Sequence, residues 1–244
     1  LAVGDYVLAQ DDSGAWEAHY VFDSNGVQTA YVDWNYYSTH YDWDASSSRA
    51  YFFRSNSSPG DLHYEVIDQA TGQISSRGET PYHGDYVIQP PIRVSTDGQY
   101  ILLGSGDLYN QAGLAWWGSL GKPIADAHWL DRLIVDVDTT DRVEIRDADT
   151  RTVLRSYQYL GQPLRLVFGQ EQAYLVHVMN GTTAFVRLAF GDQDQDSMPQ
   201  WWEDLYGLDD GNDADALGDL DGDGVGNQTE YLHHANPLVV DTDG

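Results

Sequence analysis

Asp219, Asp221 and Asp223 stand at alternate positions, Gly224 follows them, and Asn227 and Glu230 complete a twelve-residue run. Side-chain oxygens therefore fall at positions 1, 3, 5, 9 and 12, with glycine at position 6. Alternate carboxylates on a sharply turned backbone can aim at one point, the arrangement a hard cation such as Ca2+ requires when it takes six to eight oxygens. Gly224 allows the turn, the Val225 carbonyl supplies position 7, and Glu230 closes the shell with both oxygens. Asn227 is expected to act directly or through a water.

An earlier segment carries the same spacing. Asp192, Asp194 and Asp196 take positions 1, 3 and 5, Met198 offers the carbonyl at position 7, and Glu203 stands at position 12. Ser197 replaces glycine at position 6. Asp213 and Asp215 lie between the two loops and are expected to complete neighbouring sites, as are Asp241 and Asp243, which open a third run. A solvated, disordered acidic tail is the competing reading of such a stretch. Against it, Glu203 and Glu230 share one offset from their Asp triplets, and Trp201, Trp202, Leu205, Tyr206, Leu208, Leu217, Tyr231 and Leu232 give the arm something to pack.

The run Asp-x-Asp-x-Asp-Ser-Met-Pro-x-Trp-Trp-Glu-x-x-Tyr-Gly-Leu, followed by Asn-Asp-Ala-Asp-Ala, Asp-Leu-Asp-Gly-Asp-Gly-Val-Gly-Asn-Gln-Thr-Glu-Tyr, Asn-Pro-Leu and Asp-Thr-Asp-Gly, resembles the bacterial thrombospondin type 3-like repeat over residues 192–244. Ordinary EF-hands tend to carry a branched apolar residue at position 8; here Gly226 stands there and Val225 precedes it, which favours the type 3-like family. The resemblance implies calcium-dependent folding in a secreted or cell-surface protein, and it implies no catalysis.

Charge agrees with cation binding. The chain has 39 acidic and 12 basic residues in 244, a net charge of −27. Fifteen of the acids and none of the bases lie from Gly191 onward, so both parts are acidic, at about −15 and −12. Such a surface repels phosphate backbones, which argues against nucleic acid and anionic membrane as partners. Within each loop, carboxylate repulsion makes metal binding part of the folding free energy. There is no cysteine, so disulfides and thiolate chemistry are excluded. No apolar run approaches the roughly 18 residues of a membrane span, so no membrane insertion is expected. A start at Leu1 without Met, and a third run cut short, lead us to expect a processed or trimmed piece of something longer.

Residues 1–190 are expected to form an all-β domain and 191–244 a calcium-binding extension with short helices. Short stretches rich in Val, Ile, Thr, Tyr, Phe and Trp alternate with turn signals at Asp23-Ser-Asn-Gly26, Asp68-Gln-Ala-Thr-Gly72, Asp147-Ala-Asp-Thr150 and Asn180-Gly181. Segments beginning at Ile92, His128 and Leu164 recur every 36 residues, with an earlier relative near Tyr41. Repeating strand, turn, strand and outer hairpin resembles the blades of a β-propeller of the YVTN or WD-like kind. The length leaves room for about four blades, and a β-sandwich of similar strand number stays open.

Catalytic signals are weak. Eight histidines are scattered without His-Glu-x-x-His spacing, and Gly104-Ser105-Gly106-Asp107 is not a nucleophile elbow. Asp42, Asp44, Asp61, Asp85 and Asp107 could pair for glycoside cleavage only at a spacing that sequence does not show. The aromatic run Trp34-Asn-Tyr36-Tyr37-Ser-Thr-His40-Tyr41-Asp-Trp43 and the pair Trp116-Trp117 read as strand packing before sugar stacking, so carbohydrate stays open as a ligand. The sequons at Asn56, Asn180 and Asn227 carry little weight in a chain that looks bacterial. The expected protein is an exported, calcium-binding structural or adhesive module without a catalytic site or cofactor-binding residues other than those for Ca2+. Its arm would link to a neighbouring domain or subunit, by a protein partner or self-association, including in an extracellular filament. The alternative is an extracellular enzyme acting on polysaccharide, with the calcium loops as accessories.

Overall fold

A computed structural model describes the chain except for residues 12–15, 34, 36, 55–59, 131–132, 141, 169–172, 189–191, 234 and 241–244, and the side chains of Trp201, Asp204 and Leu205. Trp34, Tyr36, Asn56, Gly191 and His234 thus lie outside the described residues. Among the described residues, nineteen strands fall into five antiparallel sheets. The first holds β1 (Ala2–Val3), β2 (Tyr6–Gln10), β3 (His19–Phe22) and β4 (Gln28–Val32). The second holds β5 (Ser38–Asp44), β6 (Arg49–Arg54), β7 (Asp61–Ile67) and β8 (Ile74–Glu79). The third holds β9 (Ile92–Val94), β10 (Tyr100–Leu103), β11 (Asp107–Asn110) and β12 (Trp116–Ser119). The fourth holds β13 (Ile124–Leu130), β14 (Leu133–Asp138), β15 (Arg142–Asp147) and β16 (Val153–Gln158), and the fifth β17 (Gln162–Phe168), β18 (Ala173–Met179) and β19 (Thr182–Leu188).

Every sheet keeps its strands in chain order, so each is a meander closed by local hairpins. A sandwich with Greek-key connections would place sequence-distant strands side by side, and the sandwich alternative is set aside on that ground. The count is also corrected: there are five sheets where about four blades had been expected. The 36-residue recurrence had picked out β9, β13 and β17, the opening strands of three sheets, and Tyr41 lies in β5. The first sheet escaped because its opening strand is two residues long.

The chain divides into two compact units, Leu1–Trp129 and Leu130–Gly244. Core strands are apolar on both faces, as in Tyr51, Phe52 and Phe53 of β6 or Ile101, Leu102 and Leu103 of β10, all buried. Turns follow the side-chain chemistry that predicts them. In the β3–β4 hairpin, Asp23 Oδ1 accepts from the backbone N–H groups of Asn25 (2.9 Å) and Val27 (2.8 Å), and Gly26 takes the positive φ of 77°.

A buried polar network joins β2, β3, β5 and β7 in the first unit. Gln10 Nε2 donates to Glu17 Oε2 (2.5 Å) and to the Ser38 carbonyl (2.9 Å), which fixes its amide orientation. Gln10 Oε1 therefore accepts from the Tyr41 hydroxyl (2.6 Å), which also meets His19 Nε2 at 2.9 Å. His19 Nδ1 lies 2.7 Å from Glu65 Oε2, and Asn35 Nδ2 donates to Glu65 Oε1 at 3.2 Å. Tyr41 stacks on Phe52, and Trp43 packs against the Val3–Leu8–Val21 cluster, so these two aromatics serve packing.

In β7 the His63 ring stacks on Phe52, with Nδ1 3.4 Å from Glu79 Oε2. Burial, reinforced by Arg54 and Arg77, lowers its pKa to about 3. The unfolded chain takes up that proton near 6.5 and the folded chain only near 3, so stability present above pH 6.5 is lost as pH falls through this window. The loss is at most about 1.4 kcal/mol per pH unit. His63→Phe keeps the ring stack and is expected to flatten that acid limb of Tm against pH; a limb of unchanged slope would remove His63 as its source. No helix among the described residues is long and apolar enough to cross a membrane.

Candidate metal centre

Past β19 the chain forms two seven-residue helices, α1 (Gln200–Tyr206) and α2 (Asn227–His233), with a 3-10 turn at Asp215–Leu217 between them. The helices are short because each only follows a loop and carries one anchoring face. Trp202 and Tyr206 of α1 pack edge-on at 4.9 Å, Tyr231 of α2 meets Trp202 at 5.5 Å, and Met198 and Ala216 complete a small buried core. Gly207, at φ 78°, ends α1, and the Leu208 N–H reaches back to the Glu203 carbonyl (2.8 Å). The arm is thus a packed element of the second unit.

The two loops preceding these helices have one backbone design. At position 1, Asp192 Oδ2 accepts from Ser197 N (3.2 Å) and Asp219 Oδ2 from Gly224 N (2.9 Å). At position 3, Asp194 accepts from Asp196 N (3.3 Å) and Asp221 from Asp223 N (3.1 Å). At position 5, Asp196 accepts from Met198 N (2.7 Å) and Asp223 from Val225 N (2.8 Å). The substitution at position 6 leaves the turn intact, since Ser197 adopts φ 79° beside 98° for Gly224. A left-handed conformation costs a non-glycine residue about 1–2 kcal/mol, partly offset by the extra unfolded-chain freedom of glycine, about 0.5–1 kcal/mol. Ser197→Gly is therefore expected to stabilise the chain by about 0.5–1 kcal/mol; a lower Tm would show that the serine side chain contributes something the backbone account omits.

The carboxylates converge unequally. Oxygens of Asp194, Asp196, Glu203 and Asp215 lie within 4.8 Å of one another, and a second group on the same limit joins Asp192, Asp194 and Asp210, so Asp194 belongs to both. Asp219, Asp221 and Asp223 form a third group, without Glu230 inside that limit. Asp213 is exposed and in none of these groups, and Asp241 and Asp243 lie outside the described residues. Asn227 is buried and bridges backbone, accepting from Leu220 N (3.3 Å) and donating to the Asp215 carbonyl (2.8 Å). Gln228 donates to the Asp196 carbonyl, which ties α2 to the first loop. Val225 and Met198 stand at position 7 of their loops, and the Met198 side chain is fully buried.

The first group is electrostatically uncomfortable as a set of bare anions. Glu203 is 0 % exposed, and neither of its carboxylate oxygens has a hydrogen-bond partner. Asp194 Oδ2, Asp196 Oδ2 and Asp215 Oδ1 are likewise buried and unpartnered. Burial first, then the nearby Asp210, Asp196 and Asp194, push Glu203 up to about 8. Burial and the neighbouring carboxylates also raise Asp196. Backbone N–H groups instead hold Asp219 below the usual range. Backbone N–H groups satisfy one oxygen each of Asp194, Asp196 and Asp215; the remaining buried oxygens, with both of Glu203, form a set of acceptors with the chemistry of a hard-cation site. Sequence spacing had no means of finding Asp210, which belongs to neither twelve-residue run and arrives through the chain reversal after α1; its Oδ1 also accepts from Gln193 N at 2.9 Å.

Three of the five carboxylates considered for glycoside cleavage accept hydrogen bonds from nearby side chains. Asp44 holds Ser46 and Ser47, Asp61 accepts from Thr80 (3.0 Å), and Asp107 accepts from Trp116 Nε1 (3.0 Å). Trp116 stacks on Tyr86, and Trp117 on Tyr100 at 4.3 Å.

No family model matches this chain, and no curated protein sequence does either. Among solved structures it is similar to the computationally designed Ika8 protein, with a TM-score of 0.53 at 12% identity, covering 76% of this chain and 56% of that one. It is also similar to the Dos1 propeller, with a TM-score of 0.50 at 11% identity, covering 66% of this chain and 49% of that one. The chain therefore spans about half the length of the solved structures it matches. At these identities the likeness concerns fold alone, and with the five meander sheets it gives a mainly β, propeller-like architecture.

Proposed function

We propose that this chain is a calcium-binding structural module of a secreted or cell-surface protein, in which thrombospondin type 3-like loops stiffen an arm that links the propeller-like sheets to a neighbour. The observation that carries it is the fully buried Glu203 carboxylate, without a donor, facing Asp194, Asp196 and Asp215. Leaving an ionised carboxylate unpaired inside protein costs several kcal/mol, and a divalent cation removes that cost for all four groups together. Asp194, Asp196, Glu203 and Asp215 would hold one ion, Asp192 and Asp210 would extend the site through the shared Asp194, and Asp219, Asp221 and Asp223 would hold another. Calcium suits the donor set because every side chain in it offers oxygen and none offers nitrogen or sulfur.

Isothermal calorimetry of the chelator-stripped chain with CaCl2 tests the assignment. Uptake of at least one ion is expected, with the four-carboxylate group filling first. Titration heats no different from buffer would end the calcium reading.

A further inference from the structure

We propose that the cleft between the fourth and fifth sheets binds a small, uncharged aromatic molecule carrying one hydroxyl, which donates to His177 Nε2. The site is separate from the acidic loops, and its test leaves the calcium reading untouched.

Both walls follow from strand alternation. Val143 and Tyr157 pair across β15 and β16, so they share one face of the fourth sheet. Across β18 and β19, His177 pairs with Ala184 and Leu175 with Val186, which puts His177, Met179, Val186 and Leu188 on one face of the fifth. These residues of the two sheets line a cleft of about 610 Å³. That volume falls within the roughly 300–1,000 Å³ of small-molecule sites, whose walls are mostly apolar with a few placed polar groups.

Charge narrows the ligand. Among the described residues no Asp or Glu lines the cleft, in a chain with 39 acidic residues, so nothing there attracts a cation. Arg187 is the one charged residue of the lining, and it pairs with Tyr174, on the face of the sheet opposite to Val186 and Leu188. An uncharged body therefore suits these walls.

His177 supplies the polar group. It is 3% exposed. The link 159–161 between β16 and β17 is pinned by the Tyr159 hydroxyl, which donates to the Asp138 carbonyl at 3.0 Å, and the Leu160 carbonyl meets His177 Nδ1. A carbonyl can only accept, so Nδ1 carries the proton and Nε2 of the neutral ring is an acceptor. Gly161, at φ 104°, makes this docking possible, since a Cβ there would stand 2.8 Å from Nδ1 and 2.6 Å from the Val178 carbonyl oxygen. Nε2 has no partner among the described residues. Buried polar atoms are normally satisfied; a hydroxyl that enters on an aromatic ring satisfies this one while the ring covers the apolar walls.

The compound 4-ethylphenol and its methyl ether, 4-ethylanisole, differ in the donor. Titrated into the 15N-labelled full chain in calcium, the phenol should bind saturably, about tenfold tighter than the ether, and should shift the His177 Nε2 resonance. His177→Phe keeps a ring between the walls and leaves the carbonyl of the 76% exposed Leu160 to water; it should bind both compounds alike. Val186→Trp leaves His177 in place, fills the cleft from a position already 36% exposed, and should abolish binding of both. Matching far-UV spectra and melting temperatures would show that the variants fold, and the comparison of the two compounds on the parent chain stands without them. Absence of saturable binding to the parent overturns the proposal. Equal affinities for phenol and ether in the parent do so too, the result expected if water alone serves Nε2, as does a preference for the phenol that survives His177→Phe.

Discussion

Glu203→Gln is expected to act in opposite directions with and without calcium. In calcium it removes one of the charged ligands and should weaken the tightest site at least tenfold, about 1.4 kcal/mol. In chelator it replaces a buried, crowded carboxylate by a neutral amide of the same size and should raise Tm by a few degrees, since about 1 kcal/mol corresponds to roughly 2–4 °C in a chain of this length. The sign reversal is diagnostic because a packing defect would lower Tm in both conditions. Thermal melts of the two proteins in CaCl2 and in EGTA check it. Equal calcium affinity in parent and variant would remove Glu203 from the site.

Chelation itself should produce the largest change in the unmodified chain. At free calcium about 100-fold above Kd, ligation contributes about 2.7 kcal/mol that EGTA withdraws, so Tm should fall by roughly 5–10 °C. The loss should be local. Met198, Trp202, Tyr206 and Ala216 form a small core held between two acidic loops, so loop repulsion without the cation should open the arm first. Limited proteolysis with mass spectrometry should place the early EGTA-dependent cuts in residues 192–240. An arm equally resistant in both buffers would mean that its apolar contacts hold it without metal.

Strand chemistry was legible in the sequence where both faces or one face bury apolar residues: β2, β6, β10, β14, β15 and β18 all coincide with stretches rich in branched and aromatic residues. The outer strand β8, Ile-Ser-Ser-Arg-Gly-Glu, is polar at four of its six positions because it faces solvent, and carries no such signal. The number of sheets was undercounted for a related reason, since β1 consists of Ala2 and Val3 alone. In the arm, the twelve-residue spacing located both loops, and the matched hydrogen bonds from positions 5, 6 and 7 show why it could: each Asp reads a backbone N–H a fixed number of residues away. Which carboxylates meet was less legible, because Asp210 and Asp215 reach the first loop through a chain reversal that no local spacing encodes. Glu203 and Glu230 share a sequence offset, yet the first joins two of its three Asp residues, Asp194 and Asp196, within 4.8 Å, and the second joins none of its own.

The hydrogen-bond chain from Glu17 through Gln10, Tyr41 and His19 to Glu65 constrains how this protein can evolve. Every member satisfies the next, so losing one partner leaves a neighbour's polar atom stranded in the interior at about 1–3 kcal/mol, whereas replacing a contacting pair together by apolar groups of similar shape can be nearly neutral. Substitutions here should therefore be strongly epistatic: Tyr41→Phe and Gln10→Leu, each costly alone, should cost less in combination than their sum. Descendants of this sequence would be expected to keep the whole set or to have exchanged it in blocks.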